Sequence, residues 1–427
     1  MSRSLSEWES YIQTLHKRSV DLELDRVAQV FARLISRPVP FGVITVAGTN
    51  GKGSCVAMLE AILDAASYKV GAYTSPHFID YNERIRINCR DMDDTRLCQA
   101  FERVEAVRGD TTLTYFEFGT LVALDIFVEA QLDVVILEVG LGGRLDAVNI
   151  LDADVALLTS VAIDHTDWLG PDRESIGREK AGIFRPHRPA ICHDPQPPDS
   201  VTQYARHVGA HWYGINTEFG YRCEDQAWSW WAEDAHRHGL PFPALRGAEQ
   251  MGNAAGVLMV LHCMRERFPV NQAQVREGLL VASPTGRFQT LPGWPLRVLD
   301  VAHNPEAACA LSASLKRQPV QGRTLAVCAM LEDKPHQNIF KQLVDDFDAW
   351  YLASLDVPRG ASGRTLAAKF QGMQPGVQVT VYDDVAAAYA AATADARDHD
   401  RIVVFGSFHT VGAIMPTVKM SSNQNAG

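Results

Sequence analysis

The first 35 residues place apolar side chains at helical spacing. Leu5, Trp8, Tyr11, Ile12 and Leu15 form one stripe; Leu24, Val27, Val30, Phe31 and Leu34 form another. This predicts two amphipathic helices joined by a polar loop over 16–23. From residue 43 the pattern changes. Short runs of consecutive apolar residues at 43–46, 68–74, 132–139 and 153–161 alternate with stretches of helical spacing, as at 56–63 and 114–130. Strands apolar on both faces belong in a parallel sheet covered by helices, so the chain predicts an α/β fold. Residues 82–87 alternate charge and apolarity, as an exposed strand would. Between 185 and 245, Pro, His and Trp are frequent, and only short strand-like pieces such as 190–192 stand out.

The strand and helix alternation resumes at 296. Strands are expected at 296–301, 324–330, 350–355, 377–382 and 401–405, with helical spacing between them. That is a second, smaller, Rossmann-like α/β domain, but no Gly-x-Gly-x-x-Gly follows a strand, so it is not a dinucleotide site. The expected boundaries are a first domain over 1–288 and a Pro/Gly linker over 289–295. A second domain over 296–418 and a disordered tail over 419–427 complete the chain.

The chemistry starts at Gly48-Thr49-Asn50-Gly51-Lys52-Gly53-Ser54, between the first strand and a helix. Three glycines let the turn offer backbone N–H groups to phosphate oxygens. Lys52 adds charge for the β- and γ-phosphates, and Ser54 is placed to reach Mg²⁺. The spacing departs from G-x-x-x-x-G-K-[ST], and a glycine turn with a chance lysine is the plain alternative. The strand before it and the helix after it favour a nucleotide site, so the first domain reads as a P-loop ATPase. Ser75, at the end of the second strand, can ligate Mg²⁺ or, in Ser-Pro, merely end the strand. Glu138 closes a wholly apolar strand, where a carboxylate is costly unless it meets a cation, and reads as a magnesium ligand.

The run G-T-N-G-K-G-S resembles the P-loop of the Mur ligase superfamily, and within it the dihydrofolate synthase/folylpolyglutamate synthase family. The block Glu138-Val139-Gly140-Leu141-Gly142-Gly143-Arg144-Leu145-Asp146-Ala147 and the stretch 164–183 carry the same resemblance. The family implies roles for particular residues. His165, in Asp-His, becomes a ligand of a second metal, and Lys180 carries a carbamate that makes it a metal-binding carboxylate. Asp21, Leu22 and Glu23, with Thr114, Tyr115, Phe116 and Glu117, form the pterin pocket, Glu117 accepting from pterin N–H groups. Leu145, Asp146 and Ala147 supply a second substrate-contacting segment. Asn253 fits an adenine contact, in a motif where Glu249 replaces the family's His; a helix cap is the local alternative. Arg287 falls on the nucleotide phosphates, Asp300 on the ribose, and His303 near the γ-phosphate or the incoming amine. Lys52, Lys180 and His303 would be the catalytic set.

The activity implied is that of an ATP-dependent acid–amino-acid ligase. It would join L-glutamate to 7,8-dihydropteroate and add glutamates to tetrahydrofolate and its polyglutamates, through an acyl phosphate. Two Mg²⁺ sites are implied, with K⁺ as an optional further ion and ATP as co-substrate. A monofunctional folylpolyglutamate synthase, another amide ligase of the superfamily and a non-catalytic P-loop module are the competing readings.

Composition narrows the surroundings. A net charge of −11 over 427 residues argues against a nucleic-acid surface. Eight cysteines without a C-x-x-C pair read as reduced thiols, and no apolar run approaches the ~20 residues of a membrane span. A cytoplasmic monomer is expected.

Overall fold

The structure, a computed structural model, describes residues 3–35, 38–245, 247, 249–373 and 376–424. Two compact units divide the chain. The first runs to Ala244 and includes Met251–Ala282; the second comprises Leu245–Gln250 and everything from Ser283.

In the first unit the apolar runs become strands β1 (Gly42–Ala47), β2 (Val70–Tyr73), β5 (Val134–Glu138), β6 (Val155–Leu158), β7 (Pro189–Cys192) and β8 (His211–Gly214), all parallel. β3 (Ile85–Ile87) and β4 (Arg90–Asp91) add an antiparallel edge, giving the order β4-β3-β2-β5-β1-β6-β7-β8. β1 and β5 lie at the centre with every residue buried. That burial on both faces is why they read as unbroken apolar runs.

The helix Lys52–Ala65 leaves β1 and buries almost every side chain from Ser54 to Leu63. It is enclosed because the helix Gln272–Val281 lies against its outer side. Gly278 permits this, since a Cβ there would sit 2.4 Å from Ile62 Cγ1. Each buried Leu, Ile or Met of such a helix contributes roughly 1.5–3 kcal/mol. The N-terminal helices, Leu5–Ile12 and Asp25–Leu34, pack Trp8, Val27, Val30 and Phe31 into a core shared with Val43, Val135 and Leu137 of the central strands, with the Trp8 ring stacked on Phe101 at 5.5 Å.

Two parts of this unit differ from the sequence expectation. Residues 81–84 are a 3-10 turn rather than strand, because Glu83 turns back to accept the amides of Phe78, Ile79 and Asp80. Residues 219–240 build a separate antiparallel sheet of β9 (Phe219–Cys223), β10 (Trp228–Ala232) and β11 (Ala235–Leu240). Trp228 and Trp230 face inward, each indole N–H held by a backbone oxygen.

The second unit has β12 (Gln289–Leu291), β13 (Leu296–Asp300), β14 (Thr324–Cys328), β15 (Ala349–Ala353), β16 (Gln378–Tyr382) and β17 (Arg401–Phe405), in the order β12-β13-β17-β14-β15-β16. Five strands are parallel. β12 pairs antiparallel with β13, so the segment expected as a linker contributes an edge strand and the turn of a hairpin. The final helix, Phe408–Gln424, continues through 419–424 where a disordered tail is expected; 425–427 lie outside the described residues. No described helix is long and apolar enough to cross a membrane.

Candidate active site

The glycine turn at 48–54 is stitched to the end of β6. Thr49 N–H donates to Ser160 O (2.7 Å), Thr159 Oγ1–H to Asn50 O (2.6 Å), and Ala162 N–H to Thr49 Oγ1 (3.0 Å). Two glycines are obligatory. Gly48 has φ +149°, and a Cβ there would lie 1.7 Å from Thr159 Oγ1; Gly51 has φ +89°, with Asn253 Oδ1 at 2.5 Å. The first intrahelical bond runs from Cys55 N–H to Gly51 O. The amides of Gly53 and Ser54 therefore lie ahead of it, at the positive end of the helix dipole. Lys52 Nζ donates to the oxygens of Gly48 (3.0 Å) and Thr49 (3.3 Å).

Asn253 is buried, and its Oδ1 meets the P-loop turn and the Cys55 thiol (3.7 Å). The resemblance implies an adenine contact for Asn253; the structure sets its side chain against Gly51 of the phosphate loop.

The residues read as metal ligands fit a divalent ion in part. Ser54 is fully buried, and its hydroxyl has no hydrogen-bond partner, which is costly unless something else uses the oxygen. Ser75 follows β2 beside β5, and its N–H lies 3.4 Å from Glu138 Oε2. His165 takes a left-handed conformation (φ +53°) ahead of the helix Thr166–Leu169, with its side chain 41% exposed. Among the described residues no three His, Cys, Asp or Glu side chains converge as a ready-made metal cluster.

The glycine-rich block after β5 packs on the helix Arg173–Ala181. A Cβ on Gly143 would fall 2.7 Å from Lys180 O, Arg144 N–H donates to Glu179 O, and the Arg144 guanidinium pairs with the Glu179 carboxylate at 2.9 Å. This close approach seats Lys180 in the interior, with Nζ 3.0 Å from Gly48 O. Burial, with Lys52 adding repulsion, pushes the Lys180 amine down to about 7, against the opposing pull of Asp164 and Asp146. Asp146 accepts the amides of Gly140, Leu141 and Val148, yet burial outweighs these bonds and raises its carboxyl to about 6. These three amides all belong to the carboxylate's own loop.

The two segments expected at a pterin meet through a residue that sequence reading missed. Arg26 pairs with Asp21 (3.0 Å), Glu23 (2.8 Å) and Glu117 (3.1 Å). Glu117, almost wholly buried, also accepts the Thr114 N–H (2.7 Å), while its own N–H donates to Thr114 Oγ1 (3.2 Å). Glu117 is thus one half of a capping box and one end of an ion pair. The oxygens expected to meet a pterin are engaged within the protein. Arg26 opens an otherwise ordinary helix, and no local signal marks it. Arg173 and Asp194 were missed too; together they hold the oxygen and amide of Val161, ahead of His165.

In the second unit the polar strand ends are neighbours, because β13 and β17 pair with Asp300 opposite Phe405. Asp300 accepts the amides of Phe288 and Ala302, both at 2.8 Å, and burial raises its carboxyl. Arg287 and Glu249 lie within electrostatic reach of it, so the residue replacing the expected His joins this group. His303 Nδ1 lies 2.8 Å from Val301 O, and a carbonyl only accepts, so Nδ1 carries a proton.

This phosphate loop, in a parallel sheet followed by a second α/β unit, defines an ATP-dependent ligase of the Mur type. Residues 46–238 match the Mur ligase middle domain, and residues 286–408 match the Mur ligase glutamate ligase domain. The chain is 46% identical to the dihydrofolate synthase/folylpolyglutamate synthase of Escherichia coli K12, over 97% of this chain and 95% of that protein. It therefore belongs to the dihydrofolate synthase/folylpolyglutamate synthase family. Its structure is similar to that of E. coli FolC in complex with DHPP and ADP (TM-score 0.93, 45% identity, 99% of each chain). It is also similar to a bifunctional folylpolyglutamate synthase/dihydrofolate synthase with Mn, AMPPNP and L-glutamate bound (TM-score 0.89, 44% identity, 98% of each chain).

Proposed function

We propose that the chain joins L-glutamate to 7,8-dihydropteroate and extends reduced folates such as tetrahydrofolate by further glutamates, each time converting ATP to ADP and phosphate. The observation that carries this reading is the Lys180 amine buried against the phosphate loop in a chain that matches bifunctional relatives from end to end.

The substrate carboxylate attacks the γ-phosphorus and ADP leaves, giving an acyl phosphate. The neutral amine of glutamate then adds to the acyl carbon, the tetrahedral adduct loses phosphate, and the amine proton passes to solvent. The chain's part is to hold and to neutralise. The amides of the helix Lys52–Ala65 and the Lys52 ammonium meet the phosphates, and these fixed positive groups gain weight in a site shielded from water. Ser54, Ser75 and Glu138 would hold one Mg²⁺, and His165 with a carbamylated Lys180 a second. Such ions would supply Lewis acidity toward the phosphate being transferred. An amine near 7 is half unprotonated at neutral pH, so Lys180 can add to CO₂ and become R–NH–COO⁻, releasing one proton. Asn253 would face the adenine, Arg287 the phosphates and Asp300 the ribose, with His303 beside the incoming amine. K⁺ is an optional further ion. We place the enzyme in the cytoplasm as a monomer.

The test is ADP release by the purified protein with Mg-ATP, L-glutamate and either dihydropteroate or tetrahydrofolate. Turnover with both supports the bifunctional reading. Turnover with tetrahydrofolate alone reduces it to a polyglutamylase, and turnover with neither rejects the folate assignment.

A further inference from the structure

Arg84 ends the 3-10 turn Tyr81–Arg84 and is only 8% exposed. Its Nε–H donates to Nδ1 of His77 at 2.8 Å, and its guanidinium carbon lies 5.2 Å from the Tyr115 ring centre and 5.6 Å from that of Tyr81. Among the described residues no carboxylate forms an ion pair with it. Other guanidiniums largely withdrawn from solvent are differently provided for. Arg86 is paired with Glu60 at 2.8 Å, Arg26 with three carboxylates, and Arg401 donates to two backbone oxygens and to Thr324 Oγ1. The nearby acid, Glu9, is instead the acceptor of the Tyr115 hydroxyl at 3.1 Å.

A guanidinium taken out of water without a direct carboxylate partner is expensive, and an anion brought by a ligand would offset that cost. The surroundings say which anion. His77 belongs to the Ser75-Pro76-His77 loop, whose Ser75 amide lies against Glu138; Tyr115 belongs to the stretch Thr114–Glu117. Arg84 thus stands between the segment assigned to the metal and the segment assigned to the pterin. The walls are aromatic: the ring centres of Tyr73 and Phe116 lie 5.7 Å apart. The hydroxyls of Tyr73 and Tyr81 converge on Gly119, where a Cβ would lie 3.1 and 2.6 Å from them. A flat ligand with a carboxylate at one end suits aromatic walls and a cation. The two Nη groups match a carboxylate's two oxygens, as arginine's fork geometry does elsewhere.

We infer that Arg84 is a substrate-binding residue that takes a carboxylate of the pteridine substrate. The inference rests on the proposed function. Its chemistry is shared by two groups: the aryl carboxylate of dihydropteroate and the α-carboxylate of a glutamylated folate.

The experiment compares wild type with R84M and R84K by ligand binding, without turnover. The probes are dihydropteroate and its decarboxylated analogue, then tetrahydrofolate and an analogue in which γ-aminobutyrate replaces glutamate and so lacks the α-carboxylate. In wild type each carboxylated ligand binds more tightly than its analogue. In R84M that preference falls by about tenfold or more, as loss of a charge-assisted hydrogen bond requires, while affinity for the analogues is unchanged. R84K, which keeps the charge without the fork, retains part of the preference and serves if R84M does not fold. Loss confined to one pair identifies which carboxylate is bound. Equal weakening toward a ligand and its analogue, or an unaltered preference in both variants, overturns the inference. If wild type itself neither binds nor turns over these ligands, the folate reading fails. If wild type works and only the Arg84 variants are silent, the folate reading stands.

Discussion

Lys52 and Lys180 direct their amines to one acceptor, the backbone oxygen of Gly48, each at 3.0 Å. Burial, with the repulsion of Lys52 added to it, lowers the Lys180 amine to about 7. The relation ties the glycine-rich turn to a helix far along the chain, and it makes the amine of Lys180 chemically available near neutral pH.

K180A is expected to lower ADP release by at least about a hundredfold, since a general electrostatic contribution of roughly 2.7–4 kcal/mol is at stake. Wild-type activity should also rise with added bicarbonate in CO₂-depleted buffer and fall below pH 7, where the amine holds its proton. The sign for stability follows from the same group. Its folded value, about 7, lies below the ordinary 10.5, so between those values the unfolded chain binds more protons and stability rises with pH. Urea titrations in CO₂-free buffer should show that rise in wild type and its loss in K180M.

S54A separates a metal ligand from a structural hydroxyl. The Ser54 hydroxyl has no protein partner to lose, so the melting temperature without nucleotide should stay within about 2 °C or rise slightly. Affinity for Mg-ATP should fall about tenfold or more, consistent with loss of one favourable polar contact of a charged group. A large drop in melting temperature with unchanged Mg-ATP binding would show the reverse assignment.

G51A puts a methyl group where Asn253 Oδ1 would be 2.5 Å away, at a backbone φ of +89°. The conformation alone costs a non-glycine residue about 1–2 kcal/mol. The turn must shift, and calorimetry should report ATP affinity weakened by about tenfold or more.

R26M leaves Glu117 buried without its cation, and breaking such a pair by removing one partner costs about 3–5 kcal/mol. Denaturant unfolding should show that loss in R26M and a smaller one in R26M/E117Q, where no charge is stranded. The KM for dihydropteroate should rise in both, because Arg26 also holds Asp21 and Glu23.

D146N tests the loop after β5. One of its two oxygens becomes an NH₂ facing amides that need an acceptor, so kcat should fall about tenfold or more. Wild-type stability includes a contribution from this carboxyl that declines as pH rises from about 3.8 to about 6, because the folded state holds the proton more tightly. That component should be missing in the variant.

Much of this was legible along the chain. Gly48 to Ser54 between a strand and a helix, the carboxylate ending an apolar strand, and the two α/β repeats are local patterns, and local patterns report backbone conformation and burial directly. The three-stranded sheet of 219–240 could also have been read. In β10 the buried Trp228, Trp230 and Ala232 alternate with partly exposed residues, the period of a half-buried strand.

Other features had no local signal. Residues 16–23 appear as a solvated polar loop, and Glu117 as a helix-start charge, until folding sets Arg26 between them. Arg84 sits in an alternating charged stretch that gives no reason to expect a buried guanidinium. Lys180 reads as one charge on a polar helix, and only the approach permitted by Gly143 and Gly182 removes it from water.

The sequence by itself determined which residues form strands and helices, where the phosphate loop lies and which family the chain resembles, because these depend on neighbours a few positions apart. Tertiary structure decided which charges are paired, which are stranded in the interior and which protons are loosely held. Those properties depend on dielectric surroundings and on partners scores of residues away, and neither exists until the chain has folded.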